Sequence, residues 1–206
     1  MSNQLTHYCL FDTAIGACGV AWSRHGVTRL QLPEADARAT ERRLVARMEL
    51  LRNAGAAIPD YASAPSGLQE ARASQTPLAQ IDQLIAEIQG YMTGRNVDFA
   101  AVAVDLTNVD PFQLKVYEAA RAIPWGHTVS YGELARRTGF PDGARAVGQA
   151  LARNPVPVII PCHRVLAKGH RVGGFSAPGG IFTKERLLGL EGVRVEAGTP
   201  LLPGFV

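Results

Sequence analysis

Twelve residues, Asn154 to Val165 with the sequence NPVPVIIPCHRV, constrain this chain more than any other stretch. Val156, Val158, Ile159 and Ile160 are apolar and β-branched, and with the prolines around them they predict a short buried strand ending in a sharp corner. Pro161 stops that strand. Cys162 then stands at the end of a rigid element with His163 beside it, the placement expected of a pre-positioned nucleophile. A free thiol has a pKa of roughly 8.5 and is mostly protonated at neutral pH, so it needs a base or a positive charge nearby. His163 and Arg164 are candidates for both. For an arbitrary Cys-His pair the plainer reading, a small buried hydrophobe next to a surface histidine, would be preferred.

The 206 residues, 47% of them hydrophobic, suffice for one large or two small domains with a proper core. The N-terminal MSNQLTHYCLFD has no basic patch followed by a long apolar run, and no stretch approaches a membrane span, so a cytoplasmic protein without a membrane partner is expected. Cys9, Cys18 and Cys162 are an odd, sparse set with no disulfide framework, which fits a reducing compartment. Charge is unevenly distributed. Up to Asp105 there are nine Lys or Arg against eleven Asp or Glu, and from Leu106 onward twelve against seven. The half that carries Cys162 holds the positive excess, as a half that meets a phosphate backbone would, although a solvated basic face gives the same count.

Tyr8 to Leu32 alternates β-type runs with Gly16, Gly19 and Gly26, predicting an antiparallel meander. His7, Cys9, Cys18 and His25 match none of the tight spacings of a zinc site, and no metal is expected. Glu34 to Leu51 predicts an amphipathic helix whose Arg42, Arg43 and Arg47 face solvent. Asn53 to Gln75 reads as a surface loop, Thr76-Pro77 as the start of a helix that packs on the sheet and runs to Gly94, and Val97 to Leu106 as a strand. Asp110-Pro111 caps the next helix, with Phe112, Val116, Ala119, Ala120 and Ile123 on its inner face. Ser130 to Glu133 forms a capping box for a short helix closed by Gly139, and Pro141-Asp142 opens another through Leu151. Such a pair is a helix-turn-helix candidate, common also outside DNA-binding proteins. The glycine-rich stretch 173–180 leads to a last helix from Thr183 to Leu190, and the tail from Val193 reads as irregular.

PFQLKVYEAARAIPWGHTVSYGELA, RAVGQALARNPVPVIIPCHRV, GGFS and KERLLGLEG stand in the order and near the spacing of the O6-alkylguanine-DNA alkyltransferases, which the chain resembles over roughly residues 77–192. The N-terminal portion resembles that family only loosely. The resemblance implies an α/β protein: a ribonuclease H-like N-terminal domain over residues 1–106, and over 107–206 a mostly helical DNA-binding domain with the helix-turn-helix and the cysteine. It implies DNA repair by direct reversal. Cys162 would accept the alkyl group from O6-alkylguanine, with O4-alkylthymine a further substrate, and would keep it as a thioether. His163 and Glu191 would relay the thiol proton through a water, Asn154 would brace the turn, and Tyr131 would help protonate the departing guanine.

A cysteine at a strand end cannot reach O6 in a stacked duplex, so the base must leave the helix at a cost of a few kcal/mol. Arg145 matches the family's arginine finger that fills the space. Ala144, Gly148, Arg153 and Tyr131 would meet double-stranded DNA through its minor groove, largely independently of sequence. Pro157, Val165, Phe175, Ser176 and Lys184 would form the substrate pocket, with the Cys162 and Val165 carbonyls accepting from the guanine amine and Ser176 donating near O6. The resemblance implies no cofactor and a monomer, with cooperation along DNA left open. Gly174-Phe175-Ser176 stands where many members have Asn-Tyr-Ser, and Ala177-Pro178 reads as an insertion, so the substrate range is the open point. Three alternatives compete: a non-catalytic reader of alkylated DNA, which carries another residue in place of the cysteine, a helix-turn-helix regulator, and a Cys-His hydrolase that would need an oxyanion hole.

Overall fold

The computed structural model describes residues 6–53, 61–63, 78–107, 109–169 and 171–195. Strands β1 (Thr6–Thr13), β2 (Gly16–Ser23) and β3 (Gly26–Gln31) form the antiparallel meander. Gly26 opens β3 at φ +138°, and a Cβ there would lie 2.5 Å from the Ala103 carbonyl, so this turn requires glycine. Helix α1 (Ala37–Asn53) follows, and β4 (Tyr61–Ser63) returns parallel to β1, giving the order β3-β2-β1-β4. Strand β4 falls within the stretch expected to be a loop. The rest of that stretch beyond Asn53, the Thr76-Pro77 cap, His170 and the tail beyond 195 lie outside the described residues.

Side chains alternate along each strand, so the sheet has two distinct faces. Tyr8 and Ala21 pack with Leu44 and Met48 of α1. Cys9, Cys18, Val20 and Trp22 enter the main core, which receives Ile81, Leu84 and Ile88 from α2 (Leu78–Tyr91). Burial pushes the Cys9 and Cys18 thiols up to about 11 and about 12, far from reactive. Among the described residues no group of three His, Cys, Asp or Glu could hold a metal ion.

Two predicted strands are corrected. From Val97 to Leu106 the chain is irregular, with a single parallel bridge from Val104 to Val27. The Arg121 guanidinium takes the carbonyls of Phe99, Ala100 and Val102 at 3.0, 2.9 and 2.8 Å, which a neighbouring strand would otherwise use. The stretch from Val156 to Ile160 is buried as expected, but it is a tight turn. Pro155 and Pro157 have no N–H to give a ladder, so the turn closes on itself: Ile160 N donates to Val156 O at 2.9 Å, and Val158 takes φ +73°.

Asp110 caps α3 (Pro111–Arg121), accepting from the Phe112 and Gln113 amides, each at 3.0 Å. After β5 (Val129–Ser130), Ser130 caps α4 (Tyr131–Arg137) by accepting from Glu133 N at 3.1 Å. Only half of the capping box forms, because the Glu133 carboxylate binds Arg137 at 2.9 Å. Helix α5 (Ala144–Ala152) starts later than Pro141-Asp142 predicts, since Phe140 N→Ala135 O at 2.9 Å and Gly143 N→Phe140 O at 2.8 Å hold the intervening residues in turns. Helix α6 (Gly180–Leu190) starts three residues before Thr183. Strand β6 (Val165–Leu166) pairs in parallel with β5, which brings Tyr131 beside the segment that follows Cys162. One hydrophobic core runs from Cys9 through Ile88, Val116 and Leu151 to Leu187.

Candidate active site

Cys162 opens a short 3-10 helix (Cys162–Arg164), is 7% exposed, and bonds the Ile160 carbonyl through its amide at 2.8 Å. Asn154 spans the base of the turn. Its Oδ1 accepts from Val156 N at 3.0 Å, while Nδ2 donates to Ile160 O at 2.8 Å and to Cys162 Sγ at 3.2 Å. One side chain therefore fixes the turn and touches the reactive atom. Burial pushes the Cys162 thiol up from its ordinary value; the Asn154 hydrogen bond and the Lys184 charge pull the other way without cancelling it. Such a thiol keeps its proton until a base removes it.

The base follows directly in the chain. His163 is fully buried, and its Nε2 lies 2.7 Å from Glu191 Oε1 and 3.0 Å from the Tyr91 hydroxyl. Burial holds the imidazole below its usual range, although Glu191 works against that. A neutral imidazole facing a carboxylate carries its one proton on Nε2, which leaves the Nδ1 lone pair to accept. Nδ1 is buried without a hydrogen-bond partner among the described residues. Glu191, the residue that ends α6, also accepts from Tyr91 OH at 2.7 Å, Arg164 Nε at 2.9 Å and Gly126 N at 3.2 Å. Burial alone would raise this carboxyl, but the bonds from His163, Arg164 and Tyr91 outweigh it and hold it at about 2.

Sequence reasoning does not single out Tyr91. Its one signal is position: with Leu84 and Ile88 it lies on the buried stripe of α2, where a tyrosine hydroxyl needs a buried partner. Arg164, a candidate charge for the thiol, turns instead to Glu191 and to the Ile123 carbonyl at 2.6 Å. Lys184 is the cation that acts on the thiol. Fully buried, it donates to Val165 O at 2.6 Å and stands 5.6 and 6.0 Å from the rings of Tyr131 and Phe175. Burial brings its ammonium down to about 8, with Cys162 opposing.

A groove of about 1140 Å³ leads to Cys162 and is lined by Tyr131, Ala144, Arg145, Gly148, Phe175 and Ser176, among others. Burial, then the charge of Cys162, raises the Tyr131 phenol. Arg145 is exposed near the start of α5. Other predicted residues sit elsewhere. Val165 and Lys184 lie behind the wall, with the Val165 carbonyl engaged by the lysine. Ser176 donates to Ala152 O at 2.9 Å, so its hydroxyl ties the loop to the end of α5. Pro157 borders a second, narrower opening, and Arg153 follows the last turn of α5 outside the groove lining.

A family model described as 6-O-methylguanine DNA methyltransferase, DNA binding domain, matches residues 111–193. The methylated-DNA–protein-cysteine methyltransferase of Methanothermobacter thermautotrophicus is 35% identical over 130 residues, 63% of this chain and 72% of that protein. A DNA base-flipping protein of Thermus thermophilus is 41% identical over 105 residues, 51% of this chain and 69% of that protein. The crystal structure of Mycobacterium tuberculosis OGT in complex with DNA matches with a TM-score of 0.63 at 31% identity, over 90% of this chain and 92% of that one. The likeness thus extends past the cysteine motif to the whole mixed α/β fold, and the chain belongs to the methylated-DNA–protein-cysteine methyltransferase family.

Proposed function

We propose that the protein repairs DNA by direct reversal, moving the alkyl group of O6-alkylguanine to Cys162 in one irreversible step. The observation that carries this reading is the buried thiol at the end of a groove, braced by Asn154 and followed by a histidine whose Nε2 is tied to a carboxylate. His163 Nδ1 takes the thiol proton through a bridging water, and ionised Glu191 balances the imidazolium. Sγ attacks the alkyl carbon; the S–C bond forms as the C–O6 bond breaks. Guanine leaves with the electron pair and is protonated with the help of Tyr131, the proton being repaid from His163. Atoms balance without a cofactor. The thioether has no good leaving group, so each chain acts once.

The thiol is nearly buried, so guanine must leave the base stack to meet it. Exposed Arg145 is suited to fill the gap, while α4, α5 and the turns between them support a helix-turn-helix that enters the minor groove with little sequence preference. The four-stranded sheet with α1 and α2 supports a ribonuclease H-like N-terminal domain ending at Leu106. A monomer suffices, since every group in the proposed reaction comes from one chain. The base-flipping relative raises the rival of a reader that binds without transfer, and Cys162 with its relay favours transfer. Cys162→Ala should lose all transfer of labelled methyl from an O6-methylguanine duplex yet bind that duplex within a few-fold of wild type. Residual transfer would remove Cys162 from its role.

A further inference from the structure

Residues 38–47 carry Arg38, Arg42, Arg43 and Arg47 against the single acid Glu41, although the half of the chain up to Asp105 is acidic overall. Side chains four residues apart share a face of a helix, so on α1 they form two rows, Arg38 with Arg42 and Arg43 with Arg47. Leu44 and Met48 turn to the sheet, and Glu41 is occupied there, accepting from the Tyr8 hydroxyl at 3.0 Å. Arg38, Arg42 and Arg43 are exposed, and Arg47 is partly so. Glu34 holds Arg43 through Nε at 3.0 Å, but among the described residues Arg38, Arg42 and Arg47 have no ion-pair partner. Surface guanidinium groups in such a row are available to an external anion.

Their place in the fold says which anion. Phe175 and Ser176 border the groove on one side and, on the other, the narrower opening whose far rim is formed by Arg43 and Arg47. The arginines thus stand one loop away from the groove, and no Asp or Glu lines the opening between them. The minor groove of DNA is about 6 Å wide, so an element seated in it has a phosphate strand on either side. With α5 in that position, one of the two strands passes on the loop side of the groove, toward α1. Planar guanidinium donors match the phosphate oxygens they would meet there.

We infer that the arginine face of α1 is a second DNA contact, made to the phosphate backbone of the duplex whose lesion the groove takes. The inference rests on the groove binding DNA, as the proposed function holds. It makes the N-terminal half, which reaches the reaction through Tyr91, part of the binding surface as well. Contacts to phosphate add affinity without sequence preference, as a protein that searches for damage in any sequence requires.

Anisotropy of a labelled, undamaged duplex titrated over a range of salt concentrations reads how many phosphates are engaged. Arg43→Gln and Arg47→Gln should each reduce the steepness of log affinity against log salt by about 0.9, and the double variant should bind several-fold more weakly at low salt. Arg24→Gln removes the same charge at the β2–β3 turn, outside both openings, and should leave the slope unchanged. Methyl transfer from the free base O6-methylguanine involves no phosphate and should keep its wild-type rate in the α1 variants. A wild-type slope in the α1 variants would overturn the inference, and so would an equal fall in Arg24→Gln, which would mean that net charge alone is being read. Loss of transfer from the free base in step with duplex binding would overturn it too, by assigning the arginines to support of the cysteine site. If the wild-type protein shows no salt-dependent binding to duplex, the DNA reading itself fails and this inference falls with it.

Discussion

Tyr91 illustrates how much one hydroxyl can decide. It donates to Glu191 Oε1 at 2.7 Å and shares the His163 Nε2 proton at 3.0 Å, so it helps set how firmly the carboxylate holds the imidazole. Tyr91→Phe leaves a buried carboxylate short of a donor and should cost about 1–3 kcal/mol in urea unfolding. The change also makes Glu191 more basic and His163 harder to deprotonate. The acid limb of the pH–rate profile for transfer should therefore move to higher pH; a slower reaction with an unmoved limb would mean that Tyr91 only supports the fold. At the groove, Arg145→Ala should slow repair of duplex far more than reaction with the free modified base, and equal losses would count against the finger role. Cys162, His163 and Asn154 are legible in the sequence because they fall within one short motif. Tyr91 is 72 residues from His163 and 100 from Glu191, so only folding reveals that it belongs with them.

The turn from Asn154 to Pro161 carries the thiol, and its strain is concentrated at Val158. A β-branched residue at φ +73° sits in a region that favours glycine, yet the side chain is buried and fills core space. Val158→Ala removes methyl groups and keeps the strain, whereas Val158→Gly loses one more carbon and releases it. Thermal melts should rank Val158→Gly as the more stable of the two variants, the reverse of the usual order; the usual order would mean that the turn stores no strain. Local signals predict the starts of α3 and α4, because Asp110 and Ser130 act on amides two or three residues away, whereas the starts of α5 and α6, which have no side-chain cap, depart from the pattern by a few residues. The expected strand at 97–106 fails because its carbonyls are claimed by Arg121, 19 to 22 residues further along, a competitor outside any local pattern. The turn at 156–160 fails differently: β-branched residues signal burial correctly, but the prolines beside them remove the donors a strand needs.

Across the whole molecule, Glu191 joins the two halves of the chain: Tyr91 reaches it from α2, and His163 and Arg164 from the cysteine segment. Its folded pKa of about 2 lies below the roughly 4.3 of an unfolded glutamate. The stability from that depression is fully present above the unfolded value and is lost as pH falls toward 2, about 3 kcal/mol in all. His163, also held below its usual value, adds a loss of the same sign that begins below roughly pH 6.5. Urea midpoints should fall steadily from pH 6 to pH 3, and Glu191→Gln, less stable at neutral pH, should flatten that slope. An equally steep slope in the variant would place the acid sensitivity elsewhere. The central claim is that Cys162 itself takes up the alkyl group, once per chain. Intact-protein mass spectrometry after incubation with a duplex bearing a single O6-methylguanine tests it most directly. The account predicts an increase of one methyl group per chain, mapped to the peptide that contains Cys162 and unchanged by excess substrate. Tight binding to that duplex with no gain in mass would contradict it.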